Sequence, residues 1–220
     1  MRVEELRERW PALFSMDEIN AEFLRITTVP LQTRFLASLD KHYSRFIEII
    51  RNKGGSVREK SREILAVLDQ SLDVNLRQEC LLKCLTVYLG EDDGQLIKDY
   101  LVSILALIIK ALEIKYVILI ELTTHSLYTT HKKSGIFDFQ KDEAESEFGR
   151  CTMAVFVLRE ERNPLQAPQE IGIVIEGVEV LNELLSVTHA FAMLFGLIYV
   201  LNLSYPSELR HTFEALQKYL

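Results

Sequence analysis

Apolar residues recur every three or four positions through the first hundred residues, a spacing that predicts a series of amphipathic helices. The second helix shows the pattern over Leu31–Ile50, and the glycine pair Gly54–Gly55 is expected to end it. Gly90 is expected to end the fourth helix in the same way. Residues that typically cap or begin a helix precede four of the segments: Ser15, Pro30, Ser56 and Asp73.

The hydrophobic period changes after Gly149, where β-branched and apolar residues run together. Strands are predicted over Thr152–Arg159, Ile171–Ile175 and Val178–Leu181, the last two joined by a tight turn. A very apolar helix over His189–Leu203 and an amphipathic helix after Pro206 complete the chain. The pattern predicts an α+β fold that is predominantly helical. A small antiparallel sheet lies in its C-terminal half, packed by two C-terminal helices.

The same pattern suggests three consecutive parts along the chain. Residues 1–101 form a helical N-terminal part, and residues 141–220 supply the sheet and two helices of the same compact unit. Residues 102–140 fit neither part, being rich in Ile, Leu, Thr, Tyr and Lys. The segment begins with Val-Ser, which GTAAGT can encode, and ends in Gln140, which CAG can encode, so a translated intron is one interpretation. The alternative is a genuine insertion, which would be long for a compact domain.

Two apolar stretches raise the question of a membrane span, but the charges within the first and the short length of the second argue against one. The run Leu101–Leu122 is long enough, but it contains Lys110, Glu113 and Lys115 near its middle. Ala190–Leu203 is shorter than the roughly 20 residues that a span needs. We interpret the second stretch as a helix that is buried on nearly all sides.

The charge of the chain changes what partners are expected. The net charge is −7, but residues 1–62 carry 12 basic against 9 acidic residues. An acidic total disfavours nonspecific binding along a phosphate backbone, because that affinity depends on Lys and Arg. The charged start of the chain and its three cysteines are typical of a protein that is not secreted, with reduced thiols in the cytoplasm or nucleus.

No group of residues in the sequence has the spacing of a catalytic, cofactor-binding or metal site. Cys80 and Cys84 fall one helical turn apart, but no His or Cys lies nearby to complete a metal site. The histidines stand apart from any Ser or Cys nucleophile pattern. We therefore expect no enzyme activity, no cofactor and no metal.

The best candidate for binding is the turn at residues 51–62, which we call the basic turn. Two glycines loosen its backbone, a helix begins after them, and cations surround the turn, an arrangement that can hold a phosphate or an acidic peptide. The more common meaning of such a charge run is a solvated turn between helices. The candidate residues are Arg51, Lys53, Arg58, Lys60 and Arg62.

Several ordered stretches carry a resemblance to a known family, including 9–14, 53–55, 88–91, 171–177 and 195–206. Apart from residues 102–140, the chain resembles the C-terminal region of a fish protein family labelled sterile alpha motif domain-containing protein 3-like. The resemblance implies longer relatives with an N-terminal sterile alpha motif, a helical protein-interaction module, and relatives that lack residues 102–140. It implies no reaction and no catalytic residue.

These observations favour a non-catalytic intracellular protein-interaction or scaffold module with a protein partner. The alternative is a nucleic-acid-associated regulator that uses the basic turn, a weaker expectation given the acidic total.

Overall fold

The computed structural model describes residues 2–101, 152–159, 163 and 165–218. Eight helices lie in these ranges: α1 (Val3–Arg9), α2 (Met16–Thr27), α3 (Leu31–Asn52), α4 (Ser56–Gln70), α5 (Val74–Tyr88), α6 (Asp93–Leu96), α7 (Val187–Val200) and α8 (Arg210–Gln217). Four strands accompany them: β1 (Ile97–Leu101), β2 (Met153–Arg159), β3 (Glu170–Ile175) and β4 (Val178–Leu181). Short 3₁₀ turns occupy Pro11–Phe14 and Ser207–Leu209. The predicted α+β fold is confirmed, and residues 102–140 lie outside the described part.

The helix starts follow from local hydrogen bonds at the predicted caps. The Ser15 hydroxyl accepts from the Glu18 backbone N–H of α2 at 3.3 Å, and the Asp73 carboxylate accepts from the Asn75 N–H of α5 at 2.8 Å. The start of α4 differs from the prediction by one residue. Gly55, with φ of 67°, occupies the cap position and Ser56 is already helical. Only a residue without Cβ adopts that backbone conformation at little cost.

The four strands form one mixed sheet in the order β1-β2-β3-β4. β2, β3 and β4 are antiparallel neighbours, as predicted, whereas β1 runs parallel to β2 with Ile97 opposite Val155. The sheet is therefore mixed and not wholly antiparallel as predicted. β1 also lies in the part of the chain that the sequence predicts to be helical. Five residues that follow a helix directly are too few to show a period. The partner strand that holds them in place is also far away along the chain.

Helix α7 is the centre of the core. All its residues from Val187 to Ile198 are buried, and it packs on α2, α3 and α5 as well as on β2 and β3. The Phe191 ring lies 5.7 Å from that of Phe35 and 5.3 Å from that of Phe213. The predicted buried helix is confirmed, and residues from both halves of the chain share one core.

The close approach of α7 to its neighbours occurs at Gly196. A Cβ at this position would lie 2.5 Å from Leu31 Cδ2 and 2.7 Å from Ile19 Cγ2. The contact at Gly196 is thus with α2 and α3 and not with the sheet. The absent side chain lets three helices meet, because carbon atoms in contact normally stay beyond about 3.5 Å.

The two faces of the sheet have different surroundings. One face, which we call the helix face, lies under α7 and includes Val155 and Ile173, both buried. On the other, which we call the second face, the ring of Phe156 lies over Gly172, where a Cβ would be 2.3 Å from Phe156 Cζ. The side chains of this second face form a separate apolar cluster: Tyr100, Ala154, Phe156, Leu158 and Val174.

None of the helices in the described ranges combines the length and the apolar composition that crossing a bilayer requires.

Candidate functional site

The structure places two of the five cations of the basic turn against the protein itself. Arg51, near the end of α3, forms an ion pair with Asp69 of α4. The Lys53 ammonium lies 5.4 Å from the centre of the Tyr88 ring, within the range of a cation–π contact. Arg51 thus contacts α4 and Lys53 contacts α5, so both cations have a partner within the protein.

The other three cations are exposed on α4, but they do not share one face. Arg58 and Arg62 are one helical turn apart, whereas Lys60 is rotated by about 200° from Arg58 around the helix axis. Glu59 and Glu63 alternate with them. Gly55 caps the helix without a side chain, so the first amides of α4 receive no side-chain cap hydrogen bond. The structure thus places three of the five predicted residues on one helix without converging them on one point, and the basic turn stays a predicted site.

A second group of charged residues, which we call the ion cluster, lies between α5 and the sheet, with two members buried, Lys83 largely covered and Asp99 partly open to solvent. Its members are Glu79, Lys83, Asp99 and Arg159. Arg159 Nη2 donates to both carboxylate oxygens of Glu79, at 3.1 and 3.2 Å, and Arg159 Nε donates to Asp99 Oδ1 at 3.1 Å. Lys83 Nζ bridges the same two carboxylates at 2.9 Å each.

The fold rather than the local sequence assembles the ion cluster. Glu79 and Lys83 are four residues apart and share a face of α5. Arg159 ends β2 opposite Leu101 of β1, and side chains alternate along a strand, so it shares the helix face with Asp99. The Arg159 guanidinium also donates through Nη1 to the Gln166 carbonyl at 2.8 Å. The pattern that places Glu79 and Lys83 together is visible in the sequence, but nothing local identifies Arg159 as their partner.

Two positive and two negative side chains balance one another in the ion cluster. Burial acts to lower the pKa of Lys83, but the attraction of Glu79 and Asp99 outweighs it and the pKa is raised. The side chains of Glu79 and Arg159 are each only 6% exposed. A buried pair that is fully hydrogen-bonded fixes the relative position of its elements and leaves little for a substrate to bind. The ion cluster therefore links α5 to β1 and β2.

A shallow cleft of about 320 Å³ borders the ion cluster. Two lysines and two aspartates line it together with short apolar segments: Lys83, Asp93, Gly94, Ile97, Lys98, Asp99 and Tyr100. Burial raises the pKa of Asp93. Among the described residues the lining is mixed in charge and favours no ligand of a single charge, whereas small-molecule sites are typically enclosed and mostly apolar.

The two buried cysteines of α5 are inert in this environment. Burial raises the pKa of Cys80 and of Cys84 to about 12, so both stay protonated near neutral pH, and a thiol is a poor nucleophile and a poor metal ligand. Within the described ranges, no group of three or more His, Cys, Asp or Glu residues is placed to hold a metal ion.

The N-terminal end of α8 is filled by a carboxylate of the chain itself. Glu91 accepts from the backbone N–H groups of His211 and Thr212, at 2.7 and 2.9 Å, and from the Thr212 hydroxyl at 2.6 Å. A carboxylate at this position satisfies free amides and the positive end of the helix dipole. Sequence reasoning missed this contact, which joins the segment after α5 to the last helix.

Comparisons of the chain with protein-family models, with curated proteins and with solved structures found no match. The resemblance to the fish family therefore stays a prediction.

Proposed function

We propose that the protein is a non-catalytic protein-interaction or scaffold module. The observation that carries the proposal is the turn between α4 and α5, where Leu72 is 90% exposed and Val74 is 61% exposed. Two strongly exposed apolar side chains on either side of one residue would gain free energy if a partner removed them from water. We call this pair the apolar knob.

The rest of the described structure supports the same proposal. The buried charges of the ion cluster bind one another, and the buried thiols are protonated. The partner we propose is a protein with an apolar recess. Reduced Cys80 and Cys84 are consistent with the cytoplasm or nucleus as the compartment.

The test is affinity capture from cell extract with the wild-type chain and with a Leu72→Ser, Val74→Ser variant. We expect at least one protein to be captured by the wild type and lost, by tenfold or more, with the variant. A matched control is Leu165→Ser, because Leu165 is exposed on a loop elsewhere. Equal capture by all three proteins, or turnover of a small molecule by the purified chain, would contradict the proposal.

A nucleic-acid-associated regulator is the second candidate, and one observation favours it. Arg58, Lys60 and Arg62 are all exposed, and none of them forms an ion pair within the described ranges. Cations in this state are available for phosphates.

The second candidate predicts binding of DNA or RNA that weakens steeply with salt. Glutamine at positions 58, 60 and 62 would reduce the slope of log K against log salt by about one per lost phosphate contact. Lys41→Gln with Arg45→Gln is the matched control, since both cations are exposed on α3. An equal loss of binding in the control would show attraction to charge in general and not recognition by the basic turn.

A further inference from the structure

The second face of the sheet is apolar, although no described helix packs on it. Ala154 and Val174 are each only 1% exposed, yet the cluster they belong to consists of sheet residues alone. β2 reads as a continuous apolar run, Met153 to Leu158, instead of alternating apolar and polar residues. That pattern is typical of a strand that is covered on both faces. The second face therefore has an apolar cover.

The topology indicates where the cover comes from. β1 is parallel to its neighbour β2, so the chain leaving Leu101 must return over the length of a strand before β2 begins. The helix face is already filled by α7, and the ion cluster joins α5 to the same side. The second face is the one on which no described helix packs. The connection between β1 and β2 holds the apolar run Ile104–Ile120, whereas its last part, Lys141–Arg150, is dominated by charged residues.

We propose that the second face of the sheet is a docking surface for the chain's own segment Ile104–Ile120. The segment supplies the apolar area that Phe156 and its neighbours require. Residues 102–140 then belong to the folded protein, which favours a genuine insertion over a translated intron. The inference is independent of the proposed function, because the apolar knob lies on the turn between α4 and α5 and not on the sheet.

A photo-cross-linking experiment on the full chain tests the docking directly. Phe156→p-benzoylphenylalanine places the reactive group at the centre of the second face, and Leu158→p-benzoylphenylalanine is a second variant at a partly buried position. We expect cross-links to peptides within Ile104–Ile120 of the same molecule. Phe191→p-benzoylphenylalanine is the control, with cross-links expected to peptides holding Phe35 or Phe213.

Mixing isotopically labelled and unlabelled protein separates the possible occupants. Cross-links between labelled and unlabelled molecules would make a second copy the occupant and overturn the proposal. Cross-links from positions 156 and 158 that reach only the helices and strands given above would also overturn the proposal. The absence of any cross-link from these positions, while the control reacts, would overturn it as well.

Deletion of residues 102–140 provides a second arm that does not depend on the probe. The remaining connection, 141–152, can reach about 40 Å, whereas β1 is only about 17 Å long, so the deletion leaves the chain able to close. We expect the deletion variant to aggregate or to bind a hydrophobic dye several-fold more than the full chain. Leu158→Thr with Val174→Thr in the deletion background should restore part of the solubility. A soluble, monomeric deletion variant that binds no more dye than the full chain would overturn the proposal.

Discussion

Single residues decide how closely the helices of this protein approach. At Gly196 a missing methyl group lets α7 reach Leu31 and Ile19, and at Gly55 a positive φ turns the chain into α4. His189 is a different case, a polar side chain at the start of α7 that is buried. Its Nδ1 has no hydrogen-bond partner among the residues that the structure describes. Gly196 and His189 each give a specific expectation.

Gly196→Ala is expected to lower the free energy of unfolding by roughly 1–3 kcal/mol, the usual cost of overpacking a core. The cause is the overlap of the new methyl group with Leu31 and Ile19. Urea denaturation measures the change. Gly54→Ala is the control, since no atom lies within 4 Å of its Cβ position, and it should stay within about 0.5 kcal/mol of the wild type. Equal midpoints for the two variants would mean that α7 packs less closely than described.

Stability is expected to fall below pH 6.5 because of His189. Burial lowers the pKa of this imidazole below its ordinary 6.5, so the unfolded chain binds the proton more readily than the folded protein. The full stability is present above pH 6.5. It is lost as the pH falls toward the lowered pKa, with a slope of at most about 1.4 kcal/mol per pH unit. His189→Gln should remove this component in urea titrations at several pH values, whereas His211→Gln, at an exposed position, should retain it. A wild type as stable at pH 5.5 as at pH 7.5 would contradict the expectation.

At the scale of elements, the sequence predicts what depends on neighbours along the chain and misses what depends on distant ones. The caps at Ser15 and Asp73 and the strand Val178–Leu181 are local features, and the structure confirms them. The parallel pairing of β1 and the arrival of Arg159 at Glu79 are set by the register of the sheet, which no local pattern contains. The basic turn shows the same limit over a short segment. Its spacing predicts the cations, but not that Arg51 and Lys53 contact other residues of the protein.

The burial of α7 gives an expectation for its largest side chains. Phe195→Ala should lower the free energy of unfolding by roughly 2–5 kcal/mol, because Phe195 is buried and its removal leaves a cavity. Thermal denaturation measures the effect, with Leu185→Ala, at an exposed loop position, as the control. A shift of only a degree in Tm for Phe195→Ala would show that the helix is not central to the core.

The ion cluster gives a second expectation at this scale. Arg159→Met should cost about 3 kcal/mol, near the lower end for a broken buried pair because Lys83 still faces Glu79. Arg210→Met, which breaks an exposed pair with Glu214, should change the urea midpoint little. If the two variants were equally stable, the cluster would not clamp α5 to the sheet.

At the scale of the whole molecule, both halves of the chain depend on a shared core. α7 lies among helices from the first half, and Glu91 holds the start of α8. We expect one cooperative unfolding transition rather than separate transitions for 1–101 and 141–220.

Whether residues 102–140 belong to the protein can also be tested at the level of the transcript. Docking of Ile104–Ile120 on the sheet requires the segment, so we expect every transcript to retain it across the Leu101–Lys141 junction. Sequencing of transcripts measures this. A transcript that joins Leu101 directly to Lys141 would restore the translated-intron interpretation.

The central position of α7 has a consequence for synthesis on the ribosome. The helices that surround it end at Tyr88, and α7 begins at Val187, 99 residues later. At a translation rate of about 5–20 residues per second, α7 is synthesised roughly 5–20 s after the early helices whose core it fills. During that interval Phe35 lacks its contact with Phe191, so we expect the nascent chain to need shielding by chaperones or by the ribosome itself.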